Sequence, residues 1–164
     1  MTRLTVRHAT HKDLSMIAAL EAACFPPAEA ASAETLCARL AVYPSHFWLL
    51  MDESGMLLSF ADGMTTHEPI LSDEMYAEPQ MHTEEGVWQM IFGLNTHPDH
   101  RRRGYASYLM RHILAECQAD GRAGVVLTCK EELIPFYESL GFVCEGESDS
   151  VHGGAVWYDM RVRF

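Results

Sequence analysis

The chain has 164 residues, 48% of them hydrophobic and 21% charged, which excludes a disordered or fibrous protein. This length can bury one core without disulfides or structural metal, and we expect a single domain over residues 1–164. The net charge of −11 disfavours a nucleic-acid partner, because affinity for nucleic acid depends on Lys and Arg residues that neutralise phosphates.

In the first part of the chain, apolar and polar residues alternate in the way that predicts strands. These strands are expected at residues 4–7, 47–52 and 56–64. The last two flank a short turn and should pair antiparallel. Two helices are predicted between the first and second strands. Thr10, with Asp13 three residues later, is typical of one helix N-terminus, and Ser32 of the next.

A long surface loop is expected from about residue 66 to residue 86, where prolines and acidic residues are frequent. Loops of this length are uncommon in compact domains and are often functional. The next segment, residues 88–95, alternates in the manner of a strand, and both of its faces are largely apolar. We therefore expect it to lie at the centre of the sheet.

The last part of the chain predicts an alternation of helices and strands. Apolar residues recur at helical spacing after Gly104, followed by a buried strand, another helix and a final strand, at residues 124–128, 131–140 and 156–162. A strand–helix–strand order implies one parallel strand pair. The expected fold class is α/β, with a mixed, mostly antiparallel sheet of six to seven strands and helices on both faces.

The cysteine spacing and the length of the apolar runs indicate the cellular compartment and whether a metal is bound. Its five cysteines are odd in number and form no CxxC pair, so neither a disulfide framework nor a zinc site is expected. No apolar run is long enough to cross a bilayer, and residues 1–4 do not resemble the start of a signal peptide. These observations predict a cytoplasmic protein without a bound metal, acting as a monomer or homodimer.

The most informative segment is the run Arg101-Arg102-Arg103-Gly104-Tyr105-Ala106, where the central strand leads into a helix. A glycine at this place lets the backbone approach a ligand, and the free N–H groups of the first helical turn bind anions. The three arginines add positive charge to an acidic chain. This pattern predicts a pyrophosphate site, although the segment lacks the residues of a Walker loop or a dinucleotide-binding motif.

This run resembles the cofactor motif of the GNAT superfamily of acetyltransferases, and the match consists of Arg101, Gly104 and Ala106. The stretch 127–142, with its run Pro-Phe-Tyr-Glu followed by Gly-Phe, is similar to the arylalkylamine (serotonin-type) N-acetyltransferases. The resemblance extends over nearly the whole chain. It implies acetyl-CoA as the acetyl donor and a primary amine as the acceptor, joined by direct attack in a ternary complex.

The resemblance also implies the site residues. The backbone of Leu94 and Thr96 would bind the pantetheine and the thioester carbonyl, and the amides of residues 102–107 the pyrophosphate. The implied cofactor-binding residues are Leu94, Asn95, Thr96, Arg101, Arg102, Arg103, Gly104, Tyr105, Ala106 and Ser107. Tyr137 matches the tyrosine that protonates the leaving thiolate, and a thiol with a pKa of about 8.5 needs such a proton donor.

The sequence departs from the arylalkylamine enzymes where they carry two histidines that relay the amine proton, because Met90 and Phe92 stand at those positions. A base must then come from elsewhere. Composition alone offers residues in or beside the long loop, and for each of them a solvated loop position is the favoured interpretation: His67, Glu68, His82, Glu84 and Glu85.

The acceptor and the activity itself are left open by the sequence. Aromatic amines, polyamines, amino sugars and protein N-termini all carry the required nucleophile. The apolar Phe25-Pro26-Pro27 segment matches a region that forms a wall of the amine site in the resembling enzymes, and this resemblance implies a small hydrophobic or aromatic amine. Cys129 is interpreted as a packed thiol and not as an acyl carrier. The alternative function is an acyl-CoA-binding or sensor module that has lost catalysis.

Overall fold

The computed structural model of this chain describes residues 3–164. Residues 1 and 2, which belong to the segment that was compared with a signal peptide, lie outside the described part. Within that part the strands are β1 (Thr5–His8), β2 (Phe47–Met51), β3 (Leu57–Asp62), β4 (Thr65–Thr66), β5 (Trp88–Ile91), β6 (Gly93–Thr96), β7 (Gly124–Cys129), β8 (Val143–Glu147) and β9 (Tyr158–Arg163). The α-helices are α1 (Leu14–Cys24), α2 (Ala33–Val42), α3 (Asp73–Ala77), α4 (Tyr105–Ala119) and α5 (Ile134–Glu138).

The strands form two sheets, one in the order β1-β2-β3-β6 and the other in the order β4-β5-β7-β9-β8. Only β5 and β7 pair in parallel, with Trp88 opposite Gly124, and the remaining pairs among residues 3–164 are antiparallel. The α/β class and the single parallel pair are therefore confirmed. The strand number is not, because nine strands in two sheets replace the expected six to seven.

Apolar side chains of the helices fill the space on both faces of the sheets. On one face, Ile17 of α1 and Leu36 of α2 are fully buried against the strands. On the other face, Leu109 and Ile113 of α4 are equally buried, next to Tyr137 of α5. Among residues 3–164, no helix combines the length and the apolar character that a membrane crossing requires.

Both predicted helix starts are confirmed by their caps. The Thr10 side chain accepts a hydrogen bond from the Lys12 amide, and the Thr10 amide donates to Asp13, closing a capping box ahead of α1. Ser32 accepts from the Thr35 amide at the start of α2. Each cap satisfies backbone N–H groups that the first helical turn leaves without partners.

The expectation of a continuous surface loop over residues 66–86 was wrong. This segment contains α3 and a short 3₁₀ turn, and its Leu71 and Met75 are buried in the core. Its acidic residues gave the segment a polar average, which concealed the two apolar residues that anchor it.

The predicted central strand over residues 88–95 is divided at Phe92 into β5 and β6, which belong to different sheets. The sheets are joined just before this point, where the Met90 amide donates to Met64 O at 2.8 Å and the Phe92 amide to Asp62 O at 2.7 Å. Beyond Phe92, β6 continues along β3, whereas β7 continues beside β9. The strands thus diverge and leave a fork between the two sheets.

The C-terminal strands also differ from expectation. The final strand begins at Tyr158, two residues later than predicted, and β8 was not located from the sequence. Most residues of β8 are exposed and the strand contains Gly146, so it lacks the apolar alternation by which strands are recognised.

Candidate active site

A cavity of about 540 Å³ opens at the fork between the sheets and is called the first cavity here. Its wall is formed by α1 and the residue after it, the strand β6, the turn before α4, the first turn of α4, and α5 with the turn before it. The lining residues are Cys24, Phe25, Leu94, Thr96, Arg101, Arg102, Gly104, Tyr105, Ala106, Ser107, Leu133, Phe136 and Tyr137. Nine of the eleven residues expected at the site therefore share one cavity.

The turn before α4 gives the first cavity its anion-binding features. Gly104 caps the helix with φ of +80°, a conformation that glycine adopts without strain. The first bond within the helix runs from the Tyr108 amide to Gly104 O, so the amides of residues 105–107 have no partner inside the helix. These free N–H groups and the positive end of the helix dipole suit a pyrophosphate.

The three arginines contribute unequally to this turn. Arg101 lines the cavity and its Nε donates to Thr96 O at 3.3 Å, which fixes the turn to β6. Arg102 also lines the cavity and has φ of +64°, the only positive value for a non-glycine residue among residues 3–164. Arg103 is exposed, does not line the cavity, and lies with Nη1 3.3 Å from His100 Nδ1.

Strand β6 presents alternate residues to different surroundings. Its amide ladder with β3 continues to His97, whose N–H donates to Leu58 O, so the hydrogen-bonded positions of β6 are Gly93 and Asn95. Because these positions alternate in an antiparallel pair, the backbone groups of Leu94 and Thr96 point away from β3 and toward the first cavity. The pantetheine role expected for Leu94 and Thr96 therefore has backbone groups available for it.

Asn95 is placed differently from its neighbours. Its side chain is buried and does not line the first cavity, and its Nδ2 donates to Glu21 Oε1 at 2.9 Å. Asn95 thus belongs to a polar cluster on the other side of β6.

Tyr137 projects from α5 into the first cavity and is otherwise surrounded by core residues. Phe136 and Phe142 contact its ring edge-on. No hydrogen bond within residues 3–164 engages its hydroxyl, which is free to donate to a ligand in the cavity. Burial raises the pKa of Tyr137 and keeps the phenol protonated.

Two cysteines lie close to this site, and both are held as thiols by burial. Burial raises the pKa of Cys129 to about 12, which supports its interpretation as a packed thiol. Cys24 was not expected at the site. It lines the first cavity, its Sγ donates to Thr96 O at 3.3 Å, and burial raises its pKa as well.

None of the loop residues suggested as a base lines the first cavity. His82 and Glu84 instead form a cluster with His46, whose Nε2 lies 3.0 Å from the Glu84 carboxylate. Burial lowers the pKa of His82. Burial acts to raise the pKa of Glu84, but hydrogen bonds with the two histidines outweigh it and hold that pKa below its usual range.

The same three side chains each bring one potential metal-ligand atom to within 4.8 Å of the others. The Thr65 amide, however, donates to His82 Nδ1 at 3.1 Å, so the proton of the neutral His82 ring must be on Nε2. That Nε2–H donates to Glu84 at 2.8 Å. Hydrogen bonding accounts for this part of the cluster without a metal ion.

A second cavity, of about 360 Å³, lies on the opposite side of β6. Four carboxylates, one arginine and several aromatic rings contribute to its wall: Glu21, Glu29, Asp62, Asp73, Arg39, Tyr76, Phe92 and His152. Met90 and Phe92 stand at the two positions where the resembling enzymes carry relay histidines. Met90 is buried in the core, and Phe92 lines this cavity.

Buried polar contacts hold the second cavity together. Arg39 Nη1 donates to Asp62 Oδ2 at 3.0 Å, and both side chains are buried. Glu21 accepts from the Ala31 amide at 2.9 Å and from Asn95 Nδ2. Burial, and then the charge of Asp62, raise the pKa of Glu21. No short motif joins these residues, so their meeting could not be predicted from the sequence.

A third cavity of about 210 Å³ adjoins both of the others. It shares Cys24, Phe25 and Tyr137 with the first cavity and Glu29 with the second. Pro26 lines the third cavity, so the Phe25-Pro26 segment forms its wall on the side of α1.

A family profile matches most of this chain. The family profile described as "Acetyltransferase (GNAT) domain" matches residues 5–144. A search of curated proteins returned no match.

Similar solved structures share the fold over nearly their full length. The loading GNATL domain of CurA from Lyngbya majuscula has a TM-score of 0.84 at 18% identity, covering 98% of both chains. The GphF GNAT-like decarboxylase in complex with isobutyryl-CoA has a TM-score of 0.80 at 20% identity, covering 97% of this chain and 98% of that one. The ribosomal-protein-S18-alanine N-acetyltransferase from Escherichia coli has a TM-score of 0.73 at 18% identity, covering 98% and 94%.

Proposed function

This chain belongs to the GNAT acetyltransferase family, and we propose that it transfers the acetyl group of acetyl-CoA to a primary amine. The observation that carries the proposal is the first cavity. It brings the α4 N-terminus, the free backbone edge of β6 and the Tyr137 hydroxyl to one space. A thioester of a pyrophosphate-containing carrier requires these three kinds of group.

The donor would be held mainly by backbone. The amides of residues 105–107 bind the pyrophosphate, and the backbone of Leu94 and Thr96 binds the pantetheine arm and the thioester carbonyl. The arginines assist: Arg101 holds the turn against β6, while Arg103 contributes only charge at a distance. Preorganised backbone dipoles of this kind stabilise charge without reorganising during the reaction.

Tyr137 would act as the general acid. The amine nitrogen attacks the thioester carbonyl carbon, the C–S bond breaks, and the Tyr137 hydroxyl donates its proton to the departing sulfur. Its free hydroxyl and protonated state support this role. Because the thiols of Cys24 and Cys129 have raised pKa values, we favour direct attack in a ternary complex over an acyl-cysteine.

A decarboxylase shares this fold, so the fold alone does not assign the reaction. The arylalkylamine-like run around Tyr137 favours amine acetylation, and Phe25 and Pro26 beside Tyr137 favour a small, hydrophobic or aromatic amine. We propose that the chain acts as one cytoplasmic domain, either as a monomer or as a homodimer.

The test is thiol release from acetyl-CoA with an amine panel, run together with calorimetric titration of acetyl-CoA. The panel contains 2-phenylethylamine, spermidine, glucosamine and a peptide with a free N-terminus. We expect acetyl-CoA to bind and at least one amine to give turnover. Binding without turnover on any member would instead favour the acyl-CoA-sensing module, and absence of binding would exclude both functions.

A further inference from the structure

We propose that the second cavity binds the acceptor as an ammonium ion and that Glu21 accepts its proton, an inference that rests on the proposed acetyl transfer. The resembling enzymes remove this proton with histidines, for which this chain has Met90 and Phe92. A primary amine with a pKa of about 10 is mostly protonated at neutral pH, so its nitrogen must lose a proton before it can attack.

The charges around the second cavity favour a cation. Its wall carries four carboxylates against the single cation Arg39, and Arg39 is already paired with Asp62 at 3.0 Å. The Asp73 carboxylate accepts from Ser150 and the Val151 amide, and Glu29 pairs with Lys130 at 2.9 Å. Glu21 and Asp73 therefore remain as the wall carboxylates that have no cationic partner within salt-bridge distance among residues 3–164, and Glu21 is the more deeply buried of the two.

An unpartnered acceptor supports the same ligand. Asn95 Oδ1 is buried and has no hydrogen-bond partner among residues 3–164. Its orientation is fixed by Glu21, because turning the amide would set two acceptors against each other. A Cβ built on Gly93, which lines the cavity, would lie 3.8 Å from both Asn95 Oδ1 and Glu21 Oε1. The glycine thus leaves room for an ammonium group near these two acceptors.

The position suits proton transfer to a base near the thioester. Gly93 lines the second cavity and directly precedes Leu94, which lines the first, and successive Cα atoms are about 3.8 Å apart, so the two cavities approach each other within one residue of β6. Helix α1 carries both Glu21 and Cys24, and the latter lines the first cavity one helical turn later.

The rings on the wall indicate the rest of the acceptor. Phe92 and Tyr76 have centroids 4.8 Å apart, and His152 stacks on Tyr76 at 5.1 Å, forming a continuous aromatic surface. Such a surface suits an uncharged aromatic or aliphatic body. The Arg39 guanidinium already lies over the Phe92 ring, with Cζ 4.9 Å from the ring centroid, so the cationic end of the acceptor is assigned to Glu21 and not to these rings. A carboxylate on the acceptor would meet the acidic wall, so amines without a carboxylate are the substrate class.

The protons balance across the two residues. Glu21 takes the first proton from the ammonium ion, the nitrogen forms its bond to the carbonyl carbon, and the sulfur leaves with the Tyr137 proton. The second nitrogen proton restores Tyr137, and Glu21 releases its own to solvent. Thus R–NH₃⁺ and acetyl-CoA give the acetamide, CoA thiol and one H⁺.

The charged and titratable groups that face Glu21 are Asp62 from β3, Arg39 from α2 and Cys24 on its own helix, with Glu29, Asp73 and His152 across the cavity. Burial and Asp62 raise the pKa of Glu21, which makes its carboxylate a better proton acceptor near neutral pH. The pH profile of kcat/KM should therefore have an acid limb that belongs to Glu21.

The first experiment measures kcat/KM for 2-phenylethylamine against pH in wild type and Glu21→Gln. We expect a loss of about 100-fold at pH 7.5, disappearance of the acid limb, and acetyl-CoA affinity within about twofold of wild type. The variant should fold, because its amide can donate to Asn95 Oδ1 after that side chain turns over. Glu34→Gln, at an exposed position of α2, is the matched control.

The second experiment measures binding by calorimetry with CoA present. We expect 2-phenylethylamine to bind at least about 10-fold more tightly than phenylalanine, which carries a carboxylate, and Gly93→Ala to weaken the amine by a similar factor. The added methyl group meets its neighbours at ordinary contact distance, so the fold should tolerate it.

The outcomes separate the two proposals. Turnover by wild type with an unchanged rate and pH profile in Glu21→Gln would overturn the role of Glu21 and leave the acetyltransferase intact. Equal binding of amine and phenylalanine, or unaltered binding by Gly93→Ala, would overturn the second cavity as the acceptor site. Tight, selective amine binding without turnover would contradict the acetyl transfer while retaining the cavity assignment.

Discussion

The first and second cavities lie on opposite sides of β6 and are built in different ways. The first takes its binding groups from backbone: helix amides at residues 105–107 and the free edge of β6. The second takes them from side chains that come from α1, α2, β3 and α3. With the cavities assigned as proposed, donor binding would depend on chain conformation, whereas acceptor choice would depend on residue identity.

This difference leads to distinct effects of mutation. A substitution in the first cavity should weaken donor binding only where it changes the backbone conformation or places a negative charge next to the donor. A substitution in the second cavity should change stability or acceptor binding wherever it removes a buried charge or the partner of that charge.

Gly104→Asp should abolish acetyl-CoA binding, weakening it by more than about 100-fold, because it places a negative charge at the pyrophosphate site. A side chain is strained at φ of +80°, but Asp tolerates this region better than most residues and a Cβ here meets no atom within 4 Å, so the fold should persist. Gly121→Asp is the matched control: it has the same open surroundings and φ of +81°, at the other end of α4. Affinity equal to wild type in Gly104→Asp would remove the donor-site assignment.

Tyr137→Phe should lower kcat by about 100-fold or more, because the leaving sulfur loses its proton donor. Acetyl-CoA affinity and the thermal midpoint should stay near wild type, since the hydroxyl has no hydrogen-bond partner within residues 3–164. Steady-state kinetics and calorimetry check both parts. A variant with unaltered kcat would assign Tyr137 to packing alone.

Arg39→Met should destabilise the fold by about 3 kcal/mol, because it leaves Asp62 buried without its partner. Arg7→Met breaks an ion pair of similar length with Asp13, but Arg7 is 41% exposed and the loss should stay below about 1 kcal/mol. Denaturant unfolding of both variants measures the contrast. Equal losses would contradict the view that the second cavity depends on buried charge.

The stability of Glu21→Gln should depend less on pH than that of wild type. The folded-state pKa of Glu21 is raised, so the folded chain holds a proton that the unfolded chain releases. Wild type therefore loses stability from this group as pH rises above the ordinary glutamate pKa of about 4.3, and the full loss is present above the raised value. Thermal midpoints of the two proteins at pH 5 and pH 8 check this sign.

Arg103→Ala should have the smallest effect, changing acetyl-CoA affinity by no more than about threefold. Arg103 is exposed and outside the first cavity, so its charge acts through solvent. Affinity at low and at high salt tests this. A salt-independent loss of 10-fold or more would place its side chain in direct contact with the donor.

Local sequence signals predict residues of the first cavity but not the contacts that build the second. The cap at Thr10, the glycine at position 104 and the run around Tyr137 are local signals, and the structure gathers Gly104 and Tyr137 into one cavity. The pairing of Glu21 with Asn95, 74 residues apart, has no local signal. The division of the central strand at Phe92 was also missed, because the apolar pattern is the same on both sides of it.

The alternation along β6 has a consequence for how the length of this chain can vary. In the proposed arrangement, Gly93 and Asn95 serve the acceptor side, while Leu94 and Thr96 serve the donor side. Deleting or inserting one residue here would exchange the two sets and disable both cavities at once. We expect natural relatives to accumulate insertions in the segment between β4 and β5 and to keep β6 at a fixed length.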